Sequence, residues 1–183
     1  LLLNSDTLVR PGAISSLLKA PELYPRAGFI SPRLEWPNET PQISCFRYPT
    51  PMSEFLRSAE TGPLEKLLHH YVVPIPVTDE PFETEWTSFA GVLLRREVIQ
   101  QIGLMDEGYF MYYDDVDYCR RALNTGWPIV HYPAARIVHL RGGSGPVKEA
   151  LTARKRPRSY HKETRTRYFA KFYGPAGLWT ANV

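Results

Sequence analysis

Phe110-Met111-Tyr112-Tyr113-Asp114-Asp115-Val116-Asp117-Tyr118-Cys119-Arg120-Arg121 sets three carboxylates within four residues, directly behind an aromatic run. Like charges this close repel, and partial burial raises the cost. A fold that keeps them beside aromatics needs an anion there, for a metal, a base or a cation. Val116, Cys119 and Leu123 recur at helical spacing, so the spacing predicts a helix over Asp114 to Asn124, stopped at Gly126. Asp114 is a natural N-cap for it, and Asp115 falls in the first turn, where the helix dipole favours negative charge. Asp117 lies four residues before Arg121, the spacing of an ordinary surface pair. Asp115 is left between aromatics and the apolar Val116, with no such routine duty. A carboxylate held there can accept a proton from an attacking hydroxyl, and nearby like charge strengthens it as a base.

Working outward, the chain reads as alternating strands and helices, hence α/β. Leu1 to Leu3 predicts a buried strand of the parallel kind, ending at the polar turn Asn4-Ser5-Asp6-Thr7. Pro11-Gly12 opens a helix through about Ala20, stopped by Pro21. Ala27 to Ile30, Ile43 to Tyr48 and Phe89 to Leu94 are further strands, and residues 51–71 hold helical pieces. Residues 72–85 carry three prolines and four acidic residues and read as an irregular connection. Arg95 to Ile102 is a short helix stopped by Gly103. Pro128 to Tyr132 and Arg136 to His139 read as two strands, Gly142 to Pro146 as a flexible loop, and Tyr160 to Tyr173 as a basic-aromatic helix.

The 183 residues suffice for one domain with a real core, and 43% hydrophobic with 22% charged is ordinary for a soluble globular protein. No apolar run approaches the roughly 18–20 residues that span a bilayer. Leu1-Leu2-Leu3 is followed at once by Asn4 and Asp6, so it is no secretory core. The first residue is not Met, and the expectation is the later part of a longer polypeptide. Cys45 and Cys119 give neither a disulfide framework nor metal-ligand spacing, which fits two reduced thiols. The net charge of +3 is uneven. Residues 148–171 hold nine Lys/Arg and two Glu; taking these from the whole chain's 22 basic and 19 acidic residues leaves 13 and 17. An acidic body therefore carries a basic tail, suited to phospholipid headgroups or phosphates or simply solvated.

Three polar elements stand out beside the acidic run. Asp6 closes a strand, and ligands of open α/β sheets bind at strand carboxyl ends. It can take one position on a divalent ion, although Asn and Asp serve turns equally well. His139 ends the apolar strand Ile137-Val138-His139; if it meets Asp6, imidazole plus carboxylate plus phosphate oxygens suits Mn²⁺ or Mg²⁺. Trp86 can stack on a sugar face or fill the core, and Gly91 allows close backbone approach.

Leu2 through Thr7, Trp86 through Arg96, Gly103 through Glu107, Phe110 through Arg121, Pro133 through Gly143 and Tyr160 through Gly174 resemble, in order and spacing, the glycosyltransferase family 2 proteins of the GT-A fold. The likeness is closest to the rhamnosyltransferase-like and galactofuranosyltransferase-like members, and 31–84 matches only loosely. It implies a GT-A fold lacking its N-terminal nucleotide-binding portion. Residues 1–147 would be the acceptor and metal side of the catalytic domain, and 148–183 a basic aromatic, partly helical tail. It implies Asp115 as catalytic base, with Asp114, Trp86 and Gly91 on the acceptor side. Asn4 and Asp6 stand at the family's Asp-x-Asp motif, near the donor diphosphate. Asn4 replaces its first Asp, leaving one fewer carboxylate for the metal (Mn or Mg) that Asp6 and His139 would hold.

The activity so implied is inverting, metal-dependent transfer from a nucleotide-diphosphate sugar to a glycan or lipid-linked hydroxyl. The setting is bacterial cell-wall or polysaccharide synthesis, in the cytoplasm or at the inner face of the plasma membrane, with contact through 148–171 and no nucleic acid. The competing readings are a non-catalytic GT-A-like module that binds a glycan or partner, and a metal-dependent phosphate-ester hydrolase.

Overall fold

The computed structural model describes residues 1–59, 67–141 and 159–181. Its frame is a six-stranded mixed sheet built around one long strand. The strands, in chain order, are β1 (Leu2–Leu3), β2 (Thr7–Val9), β3 (Phe29–Glu35), β4 (Cys45–Phe46), β5 (Phe82–Thr84), β6 (Trp86–Thr87), β7 (Gly91–Leu94) and β8 (Ile129–His139). The spatial order is β1-β7-β3-β8-β2, with β5 also pairing β8, while β4 and β6 form a separate two-stranded ribbon. Only β3 and β8 run parallel; the other pairs are antiparallel.

The helices are α1 (Ala13–Leu23), α2 (Pro51–Ala59), α3 (Arg96–Ile102), α4 (Asp114–Asn124) and α5 (Ser159–Ala181). Leu17 and Ala20 of α1 pack on one sheet face, against Ile30, Leu34, Val130, Ala135 and Ile137. Val98 of α3 and Tyr118, Cys119 and Ala122 of α4 pack on Phe29, Val92 and Ile129 from the other. The odd and even residues of β3 thus serve opposite cores, as the two-residue period of a strand requires. A third cluster joins Val116 of α4 and Tyr109 to Tyr168 and Phe169 of α5, so the C-terminal helix is part of the body's core.

Several sequence expectations are corrected. The two strands predicted around Pro133 are one: β3 pairs Pro32 with Tyr132 but Arg33 with Arg136, so three residues of β8 loop out of register at Pro133. Pro32 and Pro133 sit where the ladder is already broken, so their missing N–H groups cost it nothing. This irregularity lets β3 run on to Glu35 instead of ending at Ile30. Pro21 lies inside the last turn of α1 and does not end it; the Tyr24 N–H still reaches the Ala20 carbonyl at 2.8 Å. The supposed irregular connection contains β5. Among the described residues, Leu2 and Leu3 pair antiparallel with β7, not parallel, and are 38% and 41% exposed. The basic-aromatic helix runs to Ala181, broken at Gly174, whose φ of +65° glycine tolerates. The glycine loop at 142–146 lies outside the described residues. Cys45 and Cys119 are buried free thiols, as expected.

At the end of β3 a single buried carboxylate, Glu35, accepts from Arg10 Nε at 2.9 Å and from Arg136 Nε and Nη2 at 2.9 and 3.0 Å. Arg33 Nε lies 3.5 Å away. It joins β3, β8 and the end of β2. Truncating one member of such a cluster strands the others, although these arginines reach solvent and rehydrate in part. Glu35→Ala should lower stability by about 3 kcal/mol, read from urea unfolding.

Candidate functional site

The pairing of β2 with β8 sets Thr7 opposite His139. Asp6 immediately precedes Thr7, and its carbonyl accepts the Leu140 N–H at 2.9 Å. The register therefore brings the two side chains together, with Asp6 Oδ1 3.5 Å from His139 Nε2. Asp6 is buried and His139 half-buried. Burial holds the His139 pKa below the ordinary imidazole value, against the pull of Asp6, and Arg141 lowers it further. The ring is thus neutral at pH 7 and keeps the lone pair a metal needs. Its Nδ1 is buried and lacks a hydrogen-bond partner among the described residues. The Gln42 side chain donates to the His139 carbonyl at 2.7 Å, fixing the strand end.

Asp115 lies in the first turn of α4. α4 spans the predicted residues, but its entry differs from expectation. Tyr113, not Asp114, is the N-cap, with φ +63° and no side-chain cap bond, and Tyr112 before it has φ +69°. Consecutive bulky residues in the left-handed region are rare and mark stored strain. Asp115 Oδ1 accepts the Val116 N–H at 2.9 Å, and the backbone amide of Phe89 is near enough to favour the ionised carboxylate. Burial, then the charge of Asp114, push the Asp115 pKa up to about 7, against those hydrogen bonds.

The turn Ser88–Ala90 between β6 and β7 links the two halves. Its Phe89 amide serves Asp115, its Ala90 carbonyl accepts the Asn4 N–H at 3.0 Å, and Asn4 is two residues from Asp6. The Ser88 N–H donates to the Ser44 carbonyl at 2.9 Å, holding the turn to the 42–45 segment. Asn4 is thus bonded to this turn, and the Phe89 amide beside that bond acts on Asp115.

The other predicted residues are placed as follows. Asp114 is half-buried at the start of α4, beside Asp115. Trp86 is partly buried and stacks on Phe46 (4.2 Å between centroids), its Nε1 donating to the Arg47 carbonyl at 2.9 Å. A Cβ at Gly91 would meet Ile137 and Leu34 side chains at 3.2 and 3.4 Å, so packing alone calls for glycine there.

Asp117 is not the surface partner its spacing suggested. It is fully buried and accepts from Arg121 at 2.9 Å and from Lys171 of α5 at 2.6 Å. Next to it, the Arg120 guanidinium lies over the rings of Tyr48, Phe172 and Tyr173 at 4.4–5.1 Å, and donates to the Tyr168 hydroxyl at 2.9 Å. These contacts clamp α5 onto the helix that carries Asp115. Sequence reasoning missed them because they need the fold of 159–181 back onto 114–124. The signal was there, in a helix mixing Lys171 with Tyr168, Phe172 and Tyr173.

The profile of the Glycosyltransferase like family 2 matches residues 1–162. The chain belongs to this family. Over 150 residues it is 32% identical to N-acetylglucosaminyl-diphospho-decaprenol L-rhamnosyltransferase of Mycobacterium tuberculosis, covering 77% of this chain and 46% of that protein. Over 62 residues it is 36% identical to the dTDP-rhamnosyl transferase RfbF of Shigella flexneri, covering 34% and 21%. This family 2 chain spans about half the length, or less, of the curated relatives it matches.

The pKa of Asp115 has a consequence for stability. An unfolded aspartate titrates near 3.9 and the folded one near 7. The contribution is therefore complete below about pH 4 and is lost as pH rises through about 7. Asp115→Asn should melt above the parent at about pH 8 and level with it at about pH 4, with Tm measured by calorimetry at both.

Proposed function

We propose that this chain is the acceptor and metal side of an inverting glycosyltransferase, which moves a sugar from a nucleotide-diphosphate donor to a hydroxyl of a lipid-linked or glycan acceptor. What supports the reading most is the approach of Asp6 to His139, with Asn4, two residues from Asp6, bonded to the turn Ser88–Ala90 whose Phe89 amide acts on Asp115. Both relatives are named as rhamnosyltransferases, and one name specifies N-acetylglucosaminyl-diphospho-decaprenol. A 6-deoxyhexose donor and a polyprenyl-diphosphate-linked acceptor are accordingly the substrate classes we favour.

Asp115 accepts the acceptor hydroxyl's proton as that oxygen attacks the anomeric carbon from behind. The bond from that carbon to the diphosphate oxygen breaks, and its electron pair leaves with the nucleoside diphosphate. A single displacement inverts the anomeric centre. A base with pKa near 7 combines ionisation at neutral pH with real proton affinity. Asp114, next to it in the chain, would hold acceptor hydroxyls.

The donor set of Asp6 and His139 fits two positions on a divalent cation. Their facing atoms are 3.5 Å apart, the span of neighbouring ligands each roughly 2.1 Å from one ion. Among the described residues there is no cluster of three His, Cys, Asp or Glu, so the remaining positions fall to diphosphate and water. Bound there, Mn²⁺ or Mg²⁺ would neutralise charge developing on the leaving diphosphate. Asn4 would add a neutral contact to the donor.

For the basic tail we propose peripheral contact with the inner membrane face, of narrower scope than charge counting suggests. Arg165 pairs with Glu54, Arg167 with Asp106 and Lys171 with Asp117. For the lipid contact we propose the basic residues that the sequence carries in 148–162. No helix among the described residues is long and apolar enough to cross a membrane.

Two experiments follow. Asp115→Asn in the full-length protein should cut turnover by about 10³-fold with donor Kd near parental; parental turnover would contradict the assignment. Co-sedimentation with phosphatidylserine vesicles should fall steeply between low and high salt, and salt-independent pelleting would count against the lipid contact.

A further inference from the structure

Directly ahead of the carboxylates, the chain exposes rings that no packing need explains. Phe110 is 77% exposed and Tyr112 39%. The backbone at 112–113 sends neighbouring rings to different fates. Tyr113 packs onto Tyr168 at 5.1 Å and joins the buried cluster between α4 and α5. Tyr112 stays outside and meets the start of α5 instead. It lies near-parallel to Tyr160 (centroids 6.5 Å, 18°) and edge-on to His161 at 5.5 Å. Phe110 meets Tyr160 edge-on at 5.9 Å. Two segments some 50 positions apart thus present Phe110, Tyr112, Tyr160 and His161 as one surface cluster, two residues from the Asp114–Asp115 pair.

We propose that this cluster is a saccharide-binding platform, on which a hexose ring of the acceptor stacks while its hydroxyls are held at Asp114 and Asp115. The chemistry points to a sugar more than to a lipid chain. A pyranose offers an apolar C–H face to an aromatic ring and hydroxyls at its rim, so it needs ring faces and polar groups together. The cluster supplies both, in two tyrosine hydroxyls, an imidazole and the carboxylate pair. Burial and the charges of Arg57 and Arg165 lower the His161 pKa, so at pH 7 that ring is a neutral donor and acceptor. An acyl or prenyl chain would gain nothing from these groups. The left-handed backbone at Tyr112 and Tyr113 fits the same role, since it parts the exposed Tyr112 ring from the Tyr113 ring packed against the buried cluster. The platform rests on the transferase reading for the identity of its sugar as acceptor, but not for the binding itself.

The test is a titration without donor, so turnover plays no part. The probe is N-acetylglucosamine diphosphate carrying a short prenyl chain, and the control is the same prenyl diphosphate without the sugar. The full-length protein is compared with Tyr112→Asn, which suits a left-handed backbone, and Tyr160→Leu, which keeps the helix. Each variant should weaken the sugar probe by about fivefold or more, with the control unchanged and the parental Tm retained. Equal Kd for parent and both variants would overturn the platform, and so would parallel weakening of probe and control. Asp115→Asn separates the two claims. If it keeps parental turnover, the catalytic reading fails while a sugar-selective Tyr112 and Tyr160 effect still establishes the platform.

Discussion

The pairing of β8 with its neighbours is the constraint on which the rest of the structure depends. One eleven-residue strand meets β3 in parallel along its length, β5 at its start and β2 at its end. Its three-residue slip at Pro133 shifts everything beyond that point relative to β3. Arg136 then comes opposite Arg33 and in reach of Glu35, and Val138 comes opposite Glu35 itself. The same strand end delivers His139 to Thr7 and so to Asp6. Without the slip, the two-residue alternation of a strand would send Ile137 and His139 to other neighbours.

The buried and half-buried acids divide by their partners. Glu35 is bound by Arg10 and Arg136, Glu54 by Arg57 and Arg165, Asp117 by Arg121 and Lys171. Each holds two elements together through its cations. Asp115 instead leans on backbone N–H groups and has Asp114 as its charged neighbour, which is why its proton affinity rises. Such an environment suits the proton-transfer role we propose for Asp115, whereas the paired carboxylates join elements. Asp117 and Arg120 belong to that supporting frame. They tie α5 to α4 and so hold Asp115 against the Phe89 amide.

Much of this was legible in the chain. The α4 helix, its buried stripe and the odd position of Asp115 follow from spacing and charge alone. The Asp6–His139 approach was conditional in sequence, because neither residue carries a signal until a register joins them. What sequence periodicity could not give was non-local. Asp117 reads as a surface pair at i,i+4 spacing until Lys171 arrives from 54 residues away. Pro32 and Pro133 read as strand ends because a bulge shared by two strands leaves no trace in either one. Tyr112 and Tyr113 gave no hint of a left-handed backbone, since their residue type argues against it.

The central claim is that Asp115 removes the acceptor proton, and the pH dependence of kcat/KM for the acceptor tests it most directly. That quantity reports the ionisation of the free protein's base. The account predicts an acidic limb, with the rate rising tenfold per pH unit and levelling off above a midpoint of about 7. A rate that stays flat from about pH 5 to pH 8 would contradict it.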